Sequence, residues 1–86
     1  MNSTSKGNNP ALWEKLLEGL DEKLQLGLLD KLRRISTYHF EEETLFIQAG
    51  TPEDEEYLKK ETVLHQLELL TQDIVKIEKV KIKKLD

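Results

Sequence analysis

The segment Ile35 to Ala49, ISTYHFEEETLFIQA, decides the fold, because it places two short runs of β-type residues on either side of three glutamates. Aromatic and β-branched residues favour strands, and their alternation with polar residues indicates half-buried strands. We predict a hairpin with strand one from Arg34 to Phe40, strand two from Thr44 to Ala49 and an exposed turn at Glu41 to Glu43. A plain helical hairpin or coiled coil is therefore excluded.

Two helices precede this hairpin. The first begins near Pro10 or Ala11, with Asn9 as its N-cap and proline in the tolerated first turn. Gly19 and Asp21 are predicted to interrupt or end it, and a second helical segment continues to about residue 32. The apolar stripe of the first helix is Trp13, Leu16, Leu17, Leu20 and Leu24, and that of the second is Leu24, Leu28, Leu29 and Leu32.

A long helix follows the hairpin. Thr51 is the predicted N-cap, Pro52 takes the first helical position, and four acids fill the first turn, where the helix dipole favours negative charge. The pattern predicts one helix of about 21 residues, close to six turns at 3.6 residues per turn. Its buried stripe is predicted to be Leu58, Leu64, Leu67, Leu70 and Ile74, with Tyr57 near the start.

The last element is a strand from Lys79 to Lys84. Val80 and Ile82 face inward on one parity, and the other parity carries lysines. The predicted architecture is an α+β domain in the order α-α-β-β-α-β, with helices packed on one face of a three-stranded sheet. This order of segments is KH-like. The KH clamp on a nucleic-acid backbone needs a GxxG loop, which the sequence lacks.

Composition limits the chain to one small domain. It has 86 residues, of which 37% are hydrophobic and 35% charged, and no cysteine. We expect a single domain over residues 11 to 86, preceded by a flexible tail or linker end over residues 1 to 10, MNSTSKGNNP. Disulfides and thiolate metal sites are excluded, and the absence of an apolar span or signal-peptide core predicts a cytoplasmic protein with no membrane association.

Charge is distributed unevenly along the chain. From Glu41 to Asp73 ten acids face two lysines, a balance of −8, whereas from Ile74 to Asp86 five lysines face two acids, a balance of +3. Lysines on a strand commonly protect a sheet edge from pairing with other chains. The alternative is a basic edge that binds a partner.

No catalytic, metal or cofactor site is predicted. His39 and His65 are the only histidines, and neither has a second metal ligand at a persuasive spacing. Glu61 lies four residues before His65, which is typical of an ordinary surface pair. There is no glycine-rich phosphate loop, and a domain of this size has little room for a deep pocket.

Five residues are candidates for partner binding: Trp13, Phe46, Lys79, Lys81 and Lys83. Trp13 either anchors the first helix to the core or lies partly exposed in a contact surface, where tryptophan is enriched. Alternation places Phe46 on the face opposite Leu45 and Ile47, so it is either an exposed contact or part of a second packing layer. Both alternatives remain open for each aromatic residue.

Several features together resemble a known family: Trp13 opening a leucine helix, Thr44-Leu45-Phe46-Ile47 after an acidic turn, Leu58-Lys59-Lys60-Glu61 in the long helix, and the closing Val80-Lys81-Ile82. They resemble the C-terminal domain of the gamma/tau subunit of bacterial DNA polymerase III, the clamp-loader ATPase, over about 75 residues. The N-terminal domain of DnaA is similar at Leu12-Trp13 and Thr44-Leu45. The first family is expected to have a glycine between the last helix and the last strand, and Gln72-Asp73-Ile74-Val75 has none.

The resemblance implies a non-catalytic module that tethers parts of the replication machinery, with a polymerase or helicase subunit as its protein partner. A DnaA-type domain for helicase interaction or oligomerisation is an alternative. A KH-like nucleic-acid-binding domain is another, although the acidic long helix predicts weak or no direct binding, because phosphate affinity requires dense positive charge. Homodimerisation is a third alternative.

Overall fold

Four helices and three strands follow one another in this computed structural model, which describes residues 7 to 84. They are α1 (Pro10–Glu22), α2 (Leu26–Arg33), β1 (Thr37–Glu41), β2 (Thr44–Gln48), α3 (Pro52–Lys59), α4 (Glu61–Val75) and β3 (Lys79–Lys83). The predicted α+β class and three-stranded sheet are confirmed. The predicted single long helix is wrong, because α3 and α4 are separate helices, so the order is α-α-β-β-α-α-β.

The break between α3 and α4 is a single residue, Lys60, whose backbone is extended at φ −60° and ψ 134°. Leu58 and Leu67 lie on either side of it and both are fully buried. In one continuous helix, residues nine positions apart would point in opposite directions, since each residue turns the helix by about 100°. The break therefore lets both leucines face the same core. Thr51 still caps α3 as predicted, accepting a hydrogen bond from the Asp54 N–H at 3.1 Å.

The sheet has the order β1-β2-β3. β1 and β2 form an antiparallel hairpin with His39 opposite Phe46, and β2 and β3 are parallel with Phe46 opposite Lys81. A parallel pair needs a crossover connection, which α3 and α4 provide. Strand one begins at Thr37 rather than Arg34, because Arg34 is still the C-cap of α2. The turn is two residues long, and Glu42 adopts a left-handed backbone there, with φ 56°.

The core lies between the four helices and one face of the sheet. Gly19 does not end α1 as predicted; a side chain there would collide with Ile74, so the glycine lets α1 approach α4 closely. Lys23 at the end of α1 forms an ion pair with Asp73 on α4 at 2.9 Å. Buried apolar residues include Trp13, Leu16, Leu20, Leu29, Leu32, Tyr38, Phe40, Leu45, Ile47, Leu58, Leu67 and Val80.

The start of the described chain packs against strand β1. Asn9 caps α1 as predicted, accepting from the Leu12 N–H at 3.2 Å. The side chain of Asn8 bonds both backbone groups of Phe40, accepting from its N–H at 2.8 Å and donating to its carbonyl at 2.6 Å. Residues 7 to 9 of the predicted tail thus contact the domain, and residues 1 to 6 lie outside the described residues.

Candidate interaction face

One face of the sheet is left open by the described helices, and we call it the outer face. Its residues alternate with the core residues of each strand. Phe46 occupies the middle of the central strand and is half-buried, whereas the lysines of β3 are exposed. The outer face consists of Thr37, His39 and Glu41 on β1, Thr44, Phe46 and Gln48 on β2, and Lys79, Lys81 and Lys83 on β3.

Phe46 forms the centre of a cross-strand row with His39 on one side and Lys81 on the other. The His39 and Phe46 ring centroids are 6.2 Å apart and the rings are tilted by 40°. Adjacent strands are about 4.8 Å apart, so the three side chains form a continuous ridge across the sheet. Phe46 is therefore a surface residue beside a cation, rather than part of the main core.

The three lysines make the β3 side of the outer face basic. Among the described residues, none of Lys79, Lys81 and Lys83 forms an ion pair with an acid. Negative charge collects at the hairpin end instead, where Glu41 approaches His39 at 3.4 Å. The face therefore has a basic edge and an acidic end. A partner with the complementary arrangement of charges would bind it in one orientation.

The structure separates Trp13 from the other four predicted partner-binding residues. Its side chain is only 3% exposed and stacks on Tyr38, with centroids 4.4 Å apart and an angle of 7° between the rings. The interpretation of Trp13 as an exposed contact is thus wrong, because the ring is a core anchor. Burial also raises the pKa of Tyr38 above its ordinary value, and the nearby charge of Glu14 raises it further.

His39 is not among the residues predicted to bind a partner, although it lies beside Phe46. A two-residue turn pairs Glu41 with Thr44, and counting back along the hairpin from that pair brings His39 opposite Phe46. The register of the hairpin is therefore the signal in the sequence that could have placed His39 beside Phe46. Within residues 7 to 84, no group of three or more histidines and acids is close enough to hold a metal ion.

Comparison with known proteins finds no match to a family model, to a curated protein or to a solved structure. The resemblance to the gamma/tau subunit and to DnaA therefore stays a prediction. None of the helices described between residues 7 and 84 is both long enough and apolar enough to cross a membrane.

Proposed function

We propose that this chain is a non-catalytic protein-interaction module and that the outer face is its contact surface. The observation that carries the proposal is the central row, in which half-buried Phe46 lies between His39 and Lys81 on a face that no described helix covers. An aromatic anchor within a polar rim is the usual arrangement of an interface hot spot. The lysines of β3, which form no ion pair within residues 7 to 84, favour a partner segment that is acidic and carries an apolar side chain to cover Phe46.

The resemblance to the gamma/tau subunit and to DnaA supports a role for this protein-interaction module in DNA replication. We propose that the module belongs to the cytoplasmic replication machinery of a bacterium and tethers a polymerase or helicase subunit, as a terminal domain of a gamma/tau-type clamp-loader subunit would. A DnaA-type role in helicase interaction or oligomerisation is the alternative within the same setting. Both roles require a protein partner and no chemistry from the domain itself.

Binding to purified replicative helicase and polymerase subunits tests this proposal. NMR chemical-shift mapping should show perturbed signals on the outer face, and Phe46→Ala and Lys81→Glu should each weaken binding. Truncating a hot-spot residue costs at least about 2 kcal/mol, which is roughly 30-fold in affinity. Lys15→Glu is the matched control, because it makes the same charge change at an exposed position of α1. Absence of binding to both subunits, or equal loss in the control, would contradict the proposal.

Single-stranded nucleic acid is the second candidate ligand of the outer face. Bases can stack on an aromatic ring at the surface while neighbouring lysines contact the nucleic-acid backbone, and half-buried Phe46 lies beside such lysines. The acidic hairpin end and the net charge of −4 oppose this, so we expect weak binding at physiological salt. Sub-micromolar affinity in a titration, lost on changing Lys79, Lys81 and Lys83 to glutamate, would make nucleic acid the ligand instead.

A further inference from the structure

A second surface lies on the helical side of the molecule, away from the outer face. The loop between α1 and α2 and the junction of α3 and α4 enclose a groove of about 310 Å³, which we call the helical groove. This volume is at the lower limit of ligand pockets, which span roughly 300 to 1,000 Å³, so the groove fits a few side chains rather than a large ligand. Its lining residues are Leu24, Gln25, Leu26, Gly27, Leu28, Tyr57, Thr62, Val63 and Gln66.

The rim of the helical groove exposes apolar side chains. Leu24 is 76% and Leu26 is 56% exposed, and with Leu69 they are the large hydrophobic residues that the described surface exposes most. Leu24 was predicted to belong to the buried stripes of both flanking helices, and that prediction is wrong. It lies outside both helices, in the loop between them, so its side chain projects over the groove.

The backbone of Leu24 is held in an unfavourable conformation. Its φ is 58°, and the N–H groups of Leu24 and Gln25 bond the carbonyls of Asp21 and Leu20 at 3.0 and 2.9 Å, the Schellman arrangement that ends a helix. Glycine fits this position without a steric penalty, whereas a bulky residue is strained there. A leucine that is both strained and exposed does not serve the stability of the fold, and such a position points to function.

Two lysine side chains reach the Tyr57 ring, which lines the helical groove. The ammonium groups of Lys31 on α2 and Lys60 at the junction lie 4.9 and 6.0 Å from the centre of the Tyr57 ring. Neither forms an ion pair with an acid among the described residues. The side chains that line the groove carry no charge of their own. Gln66 on α4 donates a hydrogen bond to Gln25 at 3.3 Å, which links α4 to the loop between α1 and α2 across the groove.

We propose that the helical groove binds an acidic amphipathic helix of a partner protein. Its apolar side chains would pack against Leu24, Leu26 and Val63, and its carboxylates would meet Lys31 and Lys60. This is the helix-in-groove mode of recognition, with anchors three or four residues apart on one face. The site goes beyond the outer face proposed above. A module with both surfaces could hold two partners at once, one on the sheet and one on the helices.

A synthetic helical peptide with two leucines four residues apart and glutamates beside them is the probe. We expect its binding to perturb the NMR signals of the groove-lining residues, and a version with lysine in place of glutamate to bind far less. Leu24→Gly should weaken binding about ten-fold or more, because one apolar anchor is lost. The same variant should melt at an equal or higher temperature, since glycine relieves the backbone strain, so lost binding would not reflect unfolding.

Two further variants sharpen the test. Lys31→Gln with Lys60→Gln should lower the affinity and flatten its dependence on salt, because the removed contacts are ionic. Leu69→Ala is the matched control, an exposed leucine that does not line the groove, and Lys81→Glu on the outer face should also leave peptide binding unchanged. This last result separates the helical groove from the function proposed for the sheet.

Several results would overturn the inference. They are failure of the acidic peptide to bind, equal binding of the acidic and basic peptides, and unchanged affinity of the Leu24→Gly variant. Sedimentation that shows a dimer of the unmodified chain, dissociated by Leu24→Gly, would overturn it as well. In that case a second copy of the chain would be the occupant.

Discussion

Arg34 links the end of α2 to the start of α3 through a buried carboxylate. Its Nε and one terminal nitrogen donate to the two oxygens of Asp54 at 3.1 and 2.9 Å, and the other terminal nitrogen donates to Asp30 at 2.6 Å. These hydrogen bonds raise the pKa of Arg34, with that from Asp54 as the largest cause. Asp54 is 4% exposed, whereas the side chain of Asp30 is 62% exposed. The two carboxylates should therefore differ in importance, although they share one guanidinium.

Replacing Asp54 with asparagine tests this difference. We expect Asp54→Asn to lower the free energy of unfolding by about 1 to 3 kcal/mol, because the buried partner of Arg34 loses its charge and one of its two acceptor oxygens. Asp30→Asn is the control and should change stability little, since exposed ion pairs contribute little. Urea titrations followed by the fluorescence of Trp13, the single tryptophan, measure both. Equal effects of the two substitutions would contradict the assignment of Asp54 as the structural partner.

At the scale of elements, the connections between helices and strands depend on close backbone approaches. Gly50 joins β2 to α3, and a Cβ at this position would collide with the carbonyl oxygen of Arg34, a backbone atom that cannot move independently. We expect Gly50→Ala to destabilise the domain by about 2 kcal/mol or more. Gly27→Ala is the control, because a Cβ there meets only the Tyr57 hydroxyl at 3.6 Å and alanine favours the helix. Its thermal midpoint should be unchanged or slightly higher, whereas a Gly50→Ala variant as stable as the unmodified chain would contradict the contact.

Local signals predicted most elements of this fold and missed the features that depend on distant contacts. The caps at Asn9 and Thr51 and the alternation of β2 and β3 are properties of short segments, and the structure confirms them. The leucine pattern does not reveal the break at Lys60, because Leu58 and Leu67 resemble members of one stripe although they are half a turn out of phase in a continuous helix. The groove at Leu24 is likewise not predicted by the sequence. A leucine that continues two apolar stripes gives no local sign of the left-handed backbone that places it outside both helices.

At the scale of the whole molecule, the sheet has two edge strands, β1 and β3. A different side chain bonds free backbone groups of each. Asn8 bonds the N–H and carbonyl of Phe40 on β1, and the carboxylate of Glu68 accepts from the Val80 N–H on β3 at 3.1 Å. Both occupy positions that a strand of another chain would otherwise use, and exposed edges are templates for such pairing. The lysines of β3 also disfavour pairing of another strand with the β3 edge. The combination keeps the outer face available for a partner without inviting edge-to-edge association.

The double variant Asn8→Ala with Glu68→Ala tests whether these side chains protect the edges. Sedimentation velocity over a range of concentrations should show that it self-associates at a lower protein concentration than the unmodified chain, because backbone groups on both edges lose their partners. Glu18→Ala is the control for the lost charge, since Glu18 is an exposed acid of α1 and takes no part in either edge contact. It should behave like the unmodified chain. If the double variant associates no more readily than this control, the lysines of β3 and the twist of a short sheet suffice to protect the edges, and the roles assigned to Asn8 and Glu68 are wrong.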